Sequence, residues 1–314
     1  MMSLDKGFSK LLLLHMEQND MGIQSVAVIG AGTMGSGIAQ VCAQTGWKTW
    51  IFDVNRSVLE KSYSSIQDYW MKGVDLQKNT IEDMNSWNSK LYQLYELDDL
   101  MESIDLVIEA VPENLELKRN IFQKLDQITD KGTILATNTS GLSISKIANS
   151  TKFPNRVIGM HFFNPVPLMG LLELVKHPKI DQHTIEFAKF VGRKMGKKTI
   201  LVSDTPGFAT SRLGVVLGNE AIRMLDEGVA SAQDIDYAMR LGYNHPMGPL
   251  ELSDLVGLDV RRDILNSLEA ELDDQRYRPH SLLDKLVERG EIGKKVGKGI
   301  YDWTDGEKRE RRDF

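Results

Sequence analysis

His161 and Glu173 are the two side chains of this sequence best suited to moving a proton. His161 ends an apolar run, Val157-Ile158-Gly159-Met160, that reads as a buried strand, and a strand end is a place where a site can form. Asn164-Pro165 then turns the chain. It returns through Leu171-Leu172-Glu173-Leu174-Val175, and a tight reversal brings Glu173 back beside His161. A histidine whose second ring nitrogen is held by a carboxylate is an oriented proton acceptor. The chemistry to expect is removal of a hydroxyl proton while a hydride leaves the same carbon. A strand-end histidine can equally be structural, and a site for a hydride acceptor elsewhere in the chain separates the two.

A cofactor for that hydride is written near the start. Residues 25–29 are an apolar, β-branched run that delivers Gly30-Ala31-Gly32-Thr33-Met34-Gly35, and residues 36–45 read as a helix. A second strand, 48–52, ends in Asp53, at about the twenty-residue spacing of a dinucleotide fingerprint. Glycine-rich turns are common; the strand before, the helix after and the acid beyond make this one specific. Gly30 allows the tight turn, Gly32 leaves room for a pyrophosphate and Gly35 lets helix and strand approach. The helix N-terminus offers N–H groups and partial positive charge to phosphate. Asp53 suits the adenosine ribose, and a 2′-phosphate about 4 Å away would meet roughly 4 kcal/mol of repulsion per unit charge at an effective dielectric of about 20. NAD is expected over NADP, with Arg56 close enough to offset part of that preference.

The elements that must position these groups follow in chain order. Residues 104–110 form a buried strand running into Val111-Pro112-Glu113-Asn114, residues 115–128 an amphipathic helix, and residues 133–137 a strand ending in Asn138-Thr139-Ser140. In an open doubly wound sheet ligands bind outside the carboxyl ends of the strands, which puts Asp53, Glu113, Asn138, Ser140 and His161 on one edge. Residues 55–72 and 75–90 read as two helices that lengthen the usual crossover, either reaching over a ligand or presenting a solvated face. A helix over 181–195 and a strand over 199–202 follow. Thr205 suits an N-cap and Pro206 a first helical position, so a helix is expected to begin there. Beyond it the apolar spacing is helical, with further helices at 231–240, 250–272 and 282–289. The fold class is α/β: a Rossmann-type, mostly parallel sheet over residues 21–203, then a smaller all-helical domain over 204–314 for dimerisation and the substrate cleft.

The 314 residues, 41% apolar, can bury a sizeable core. A formal charge of -6 without a basic block argues against a nucleic-acid partner. One cysteine, Cys42, excludes an internal disulfide framework and suits a reducing compartment such as the cytoplasm. The histidines outside position 161 lack metal-ligand spacing, so no metal is expected. Leu11 to Leu14 are too few for a secretory segment or a membrane span, and residues 1–20 are set aside as a leader or cloning remnant.

These residues together resemble the L-3-hydroxyacyl-CoA dehydrogenases, in particular the bacterial 3-hydroxybutyryl-CoA dehydrogenases, over residues 24–303. The likeness rests on the run from Val28 to Gly35, Glu113-Asn114, Asn138-Thr139-Ser140, the run from His161 to Val166, Thr205-Pro206-Gly207-Phe208, the run from His245 to Pro249, and Gly293-Lys294-Lys295. Many Rossmann proteins share the first; the set in this order is specific. The resemblance implies reversible oxidation of the 3-hydroxyl of an acyl-CoA by NAD, as in β-oxidation of fatty acids, by a homodimer. It implies His161 as general acid/base, Glu173 as its orienting partner, and Ser140 and Asn164 as contacts to the reacting oxygen or the nicotinamide. Glu113, Lys118, Asn138 and Lys295 would belong to the cofactor site.

Two positions depart from the family pattern. Ser211 stands where the family often has an asparagine that steadies the developing carbonyl oxygen; serine can still donate, over a shorter reach. Tyr69 and Leu76 stand where some members hold CoA with serine and lysine, and Lys72 and Lys78 are the nearby cations. The second departure keeps open a free hydroxy acid as substrate, as in gulonate 3-dehydrogenases, and a crystallin-like protein that binds without turnover. A β-hydroxyacid dehydrogenase with a catalytic lysine ranks last, because its glycine-rich substrate loop is missing.

Overall fold

Continuous apolar runs make strands buried on both faces, and four here are buried at every position: β1 (Ser25–Ile29), β4 (Leu106–Glu109), β5 (Ile134–Thr137) and β6 (Val157–Phe162). With β2 (Lys48–Phe52), β3 (Leu91–Leu94), β7 (Leu171–Lys176) and β8 (Lys198–Ser203) they form one eight-stranded sheet in the order β3-β2-β1-β4-β5-β6-β7-β8. Every adjacent pair is parallel except β6 and β7. The carboxyl ends of β1 to β6 therefore share one edge. This is a computed structural model, and it describes residues 22–100, 104–311 and 313. The expectation for residues 1–20 lies outside the described residues.

The helices of this unit are α1 (Thr33–Gln44), α2 (Arg56–Asp75), α3 (Ile81–Asn88), α4 (Leu115–Ile128), α5 (Ile144–Ala148) and α6 (Gln182–Lys194). The Asn55 side chain caps α2, and a Thr80/Asp83 capping box starts α3. The helix expected over 75–90 is present but shorter, as α3. Gln77 takes a left-handed conformation (φ 55) that ends α2, and α3 begins only at its own cap. Leu91 and Leu94 are buried on either side of the exposed Tyr92, and they make an edge strand, β3, that the sequence does not predict. Its four residues carry too little alternation to stand out. Helix α5 is equally short, and its start depends on Asp204, which accepts from Ile144 N (2.9 Å) and Ser145 N (2.7 Å) across sixty residues of chain.

The chain divides into two compact units between Asp204 and Thr205. The second holds α7 (Thr210–Asp226), α8 (Ala232–Gly242), α9 (Pro249–Val256), α10 (Leu258–Leu272) and α11 (Ser281–Glu288) around its own core of Ile222, Leu250, Leu258, Leu265, Leu283 and Ile300. Thr205 does not start a helix. Gly207 (φ 70) and Phe208 (φ 51) are both left-handed, so a turn closes from Phe208 N to Thr205 O and α7 starts later, at Thr210. The helix expected over 250–272 breaks at Gly257, whose φ of 106 no helix tolerates. A two-residue antiparallel pair, β9 (Tyr301–Asp302) with β10 (Arg309–Glu310), joins the helices. The buried Asp254 carboxylate holds it in place by accepting from Ile300 N, Tyr301 N and Trp303 Nε1, each at 2.8 Å.

His177, just beyond β7, is a structural histidine. Its Nε2 lies 3.1 Å from the carbonyls of both Pro154 and Val157, and Nδ1 accepts from Lys179 N. Nε2 therefore carries the proton. Burial outweighs the two carbonyls and the nearby Asp204 and pushes the ring's pKa below its ordinary 6.5, so the folded protein keeps it neutral. The unfolded chain takes up a proton that the folded one refuses. Stability is then full above about pH 6.5 and falls as pH drops, by up to about 1.4 kcal/mol per pH unit, until the depressed folded value is passed. Melting temperature followed from pH 8 to 5 should fall more steeply for wild type than for His177→Gln. Equal slopes would refute this.

Candidate active site

The antiparallel pairing of β6 with β7 sets His161 directly opposite Glu173. The loop between them turns at a cis Asn164–Pro165 bond. His161 Nδ1 lies 2.9 Å from Glu173 Oε2, and Glu173 is wholly buried. An ionised carboxylate only accepts, so Nδ1 donates and Nε2 is the nitrogen at which a proton is exchanged. The Phe163 ring, 4.5 Å from the imidazole, packs beside it. A buried base oriented in this way is equipped for proton abstraction.

Three strands along the sheet from β6, at the end of β1, the glycine turn has the shape that a pyrophosphate needs. Gly30 has φ 102, and a Cβ there would meet the Ala110 carbonyl oxygen at 2.7 Å. At Gly35 it would meet the Gly30 carbonyl oxygen at 1.7 Å, so helix and strand close on glycine alone. A Cβ at Gly32, by contrast, would have nothing within 4 Å. That open space adjoins the start of α1, where Thr33 and Met34 lead and no side chain caps the helix or places an acid in its first turn. An anion fits there. Asp53 accepts from Ala31 N (2.9 Å) and Asn55 N (2.8 Å), tying the end of β2 to this turn. Arg56, exposed, lies 3.7 Å from Glu96 and over the Tyr95 ring.

The ends of β4 and β5 complete the edge. Asn138 Oδ1 accepts from Phe162 N (2.9 Å), joining β5 to the residue after the base. Glu113 Oε1 accepts from Thr139 Oγ1 (2.6 Å), Ser140 N (3.0 Å) and Ser140 Oγ (3.2 Å). Lys118, on α4, is almost wholly buried; its Nζ donates to Glu109 Oε1 (2.6 Å) and Val111 O (3.2 Å) and lies 3.5 Å from Glu113 Oε2. Glu109 lies inside a strand, and local sequence gives it no site role. A charge inside an apolar run was the available signal. Asn164 stands in the loop after β6, which Lys197 anchors through the carbonyls of Val166 and Met169. Burial depresses the pKa of that lysine.

The family model described as "3-hydroxyacyl-CoA dehydrogenase, NAD binding domain" matches residues 25–205, and its "C-terminal domain" counterpart matches residues 207–303. The chain belongs to the 3-hydroxyacyl-CoA dehydrogenase family. Its cofactor is NAD, which the open Gly32 cradle and uncapped α1 fit. A probable 3-hydroxybutyryl-CoA dehydrogenase from Bacillus subtilis is 41% identical over 285 residues, 91% of this chain and 99% of the relative. The mitochondrial hydroxyacyl-coenzyme A dehydrogenase of Rattus norvegicus is also 41% identical, covering 90% of this chain and 91% of its own. The crystal structure of (S)-3-hydroxybutyryl-CoA dehydrogenase from Ralstonia eutropha superposes with a TM-score of 0.86 at 38% identity, over 90% of this chain and 99% of that one.

Two expected members of the dehydrogenase site stand in the helical unit. Ser211 lies in the first turn of α7. Lys295 pairs with Asp259, both carboxylate oxygens at 2.7 Å from its Nζ. Within the first unit the structure pairs His161 with Glu173, ties Asn138 to the backbone of Phe162, and groups Ser140, Glu113 and Lys118, with Asp53 on the turn. No helix among the described residues is long and apolar enough to cross a membrane.

Proposed function

We propose that this chain reversibly oxidises short-chain L-3-hydroxyacyl-CoA, 3-hydroxybutyryl-CoA foremost, to the 3-oxoacyl-CoA. The buried His161–Glu173 pair at the cofactor edge carries the reading. Bound NAD would supply the acceptor for the hydride on C3. His161 Nε2 takes the proton of the 3-hydroxyl, and Glu173 stabilises the imidazolium this creates. Ser140, Asn164 and Ser211 steady the reacting oxygen or the nicotinamide. Gly30, Gly32, Thr33, Met34 and Gly35 receive the pyrophosphate, Asp53 the ribose, and Glu113, Lys118, Asn138 and Lys295 complete the cofactor site.

A cavity of about 500 Å³ beside the glycine turn suits the arm of the thioester substrate. Its walls include Gln40, Lys61, Ser65 and Tyr69 on α1 and α2 and reach Asn164. The buried Gln40 Nε2 has no hydrogen-bond partner among the described residues, and an amide carbonyl of that arm would supply one. The exposed Tyr69 and Leu76 favour a second reading, a free hydroxy acid, because they are poor partners for phosphate. NADH formation across a series of 3-hydroxyacyl-CoAs and free 3-hydroxy acids separates the two. The four-carbon thioester should give the highest kcat/KM; turnover of the free acids alone would overturn the proposal.

Two chains pair through the helical unit, where a partner would cover the exposed apolar side chains Leu213 (73%), Leu241 (80%) and Tyr243 (75%). Sedimentation at micromolar concentration should give a dimer, and a monomer there refutes it. The lone cysteine, buried, suits work in the cytoplasm.

A further inference from the structure

We infer that Glu109 is a positioning residue for Ser140, acting at a distance through Lys118 and Glu113. The inference rests on the reading of Ser140 as a contact to the reacting oxygen or the nicotinamide. Six side chains, with the backbone from Thr137 to Ser140, close a ring across the ends of β4 and β5. Thr137 Oγ1 on β5 donates to Glu109 Oε2 (2.7 Å), and Lys118 Nζ donates to Glu109 Oε1 (2.6 Å). The same ammonium lies 3.5 Å from Glu113 Oε2. The other oxygen of Glu113 returns to the chain just past β5, accepting from Thr139 Oγ1 and from both the N and Oγ of Ser140.

Burial makes the ring directional. Glu109 is wholly buried and Lys118 nearly so, whereas Glu113 is 41% exposed. The exposed carboxylate has many rotamers open to it in water. Lys118 removes that freedom by drawing Oε2 inward, which leaves Oε1 facing Ser140. Lys118 can do so only because Glu109 fixes it: a buried ammonium stays where its buried counter-charge is. Val111 N, which also donates to Glu109 Oε1 (2.7 Å), locks the backbone just before Glu113 into the same arrangement. Glu109 touches neither Ser140 nor open solvent, so its effect on Ser140 passes through the two residues between them.

The test is a double-mutant cycle of Glu109→Gln with Ser140→Ala, read as kcat, as KM for each substrate and as the Kd for NADH from fluorescence titration without acyl-CoA. Glutamine keeps the shape and removes the charge that holds Lys118. Misplacing Ser140 by a fraction of an ångström should lower kcat or weaken NADH binding by about tenfold or more. The same exchange in the Ser140→Ala background should cost less than about threefold, because the group it positions is gone. Thr137→Val loosens the ring without unpairing a charge; it should show the same pattern at about two- to tenfold, and it carries the cycle if Glu109→Gln does not fold. Effects that multiply independently in both kcat and Kd would overturn the inference. If Ser140→Ala alone changes neither, the reading of Ser140 fails instead, and the inference falls with it.

Discussion

His161→Gln should lower kcat by about 10²–10⁴-fold, the range a positioned general base supplies. The glutamine amide can still donate to Glu173 Oε2, so the wholly buried carboxylate keeps a partner and the strands keep their register. What disappears is the nitrogen that accepts a proton. NADH affinity and melting temperature should therefore stay near wild type while turnover collapses, and KM for the acyl-CoA should change far less than kcat. The pairing across β6 and β7 makes the expectation specific. A histidine held by a buried carboxylate from the neighbouring strand cannot swing away to be replaced by solvent. A variant with wild-type kcat would remove the proposed chemistry altogether.

NADP should support the reaction roughly 10²–10³-fold less well than NAD, measured as kcat/KM. Asp53 is the cause. Its carboxylate is fixed at the glycine turn by Ala31 N and Asn55 N, so it cannot retreat from a 2′-phosphate. Repulsion of about 4 kcal/mol per unit charge at 4 Å is the scale at an effective dielectric of about 20, and solvent screening lowers it. Arg56 is the one nearby residue that the sequence offers against this. In the structure it is exposed and shares its charge with Glu96, and exposed pairs of that kind are worth only about 0–1 kcal/mol. NADP working within tenfold of NAD would show that Arg56, not Asp53, governs the choice.

The contrast between β1 and β3 shows how much of the fold could be read in advance. β1 is five buried residues followed by three glycines and, past a helix, an acid; each neighbour reinforces the others. β3 is four residues whose strand character comes from lying beside β2, and local sequence cannot express that. The start of α7 fails for a related reason. Thr205-Pro206 carries a helix signal, yet the next two residues go left-handed, and Phe208 is a residue type that seldom does so without a packed surrounding.

Sequence alone determined that His161 stands near the end of a strand, that Glu173 returns after a turn, that a glycine loop leads into a helix, and that Asp53 follows the second strand. These are local facts of residue type and spacing, and backbone sterics translate them directly into elements. Only the tertiary structure decided that His161 and Glu173 are register partners at 2.9 Å, because register is fixed by how two strands bury their faces. It alone decided that Glu109, an unremarked strand residue, shares its carboxylate between β5, α4 and the backbone before Glu113. A buried charge needs every partner it can find, and here those partners come from elements that meet only when the sheet is assembled.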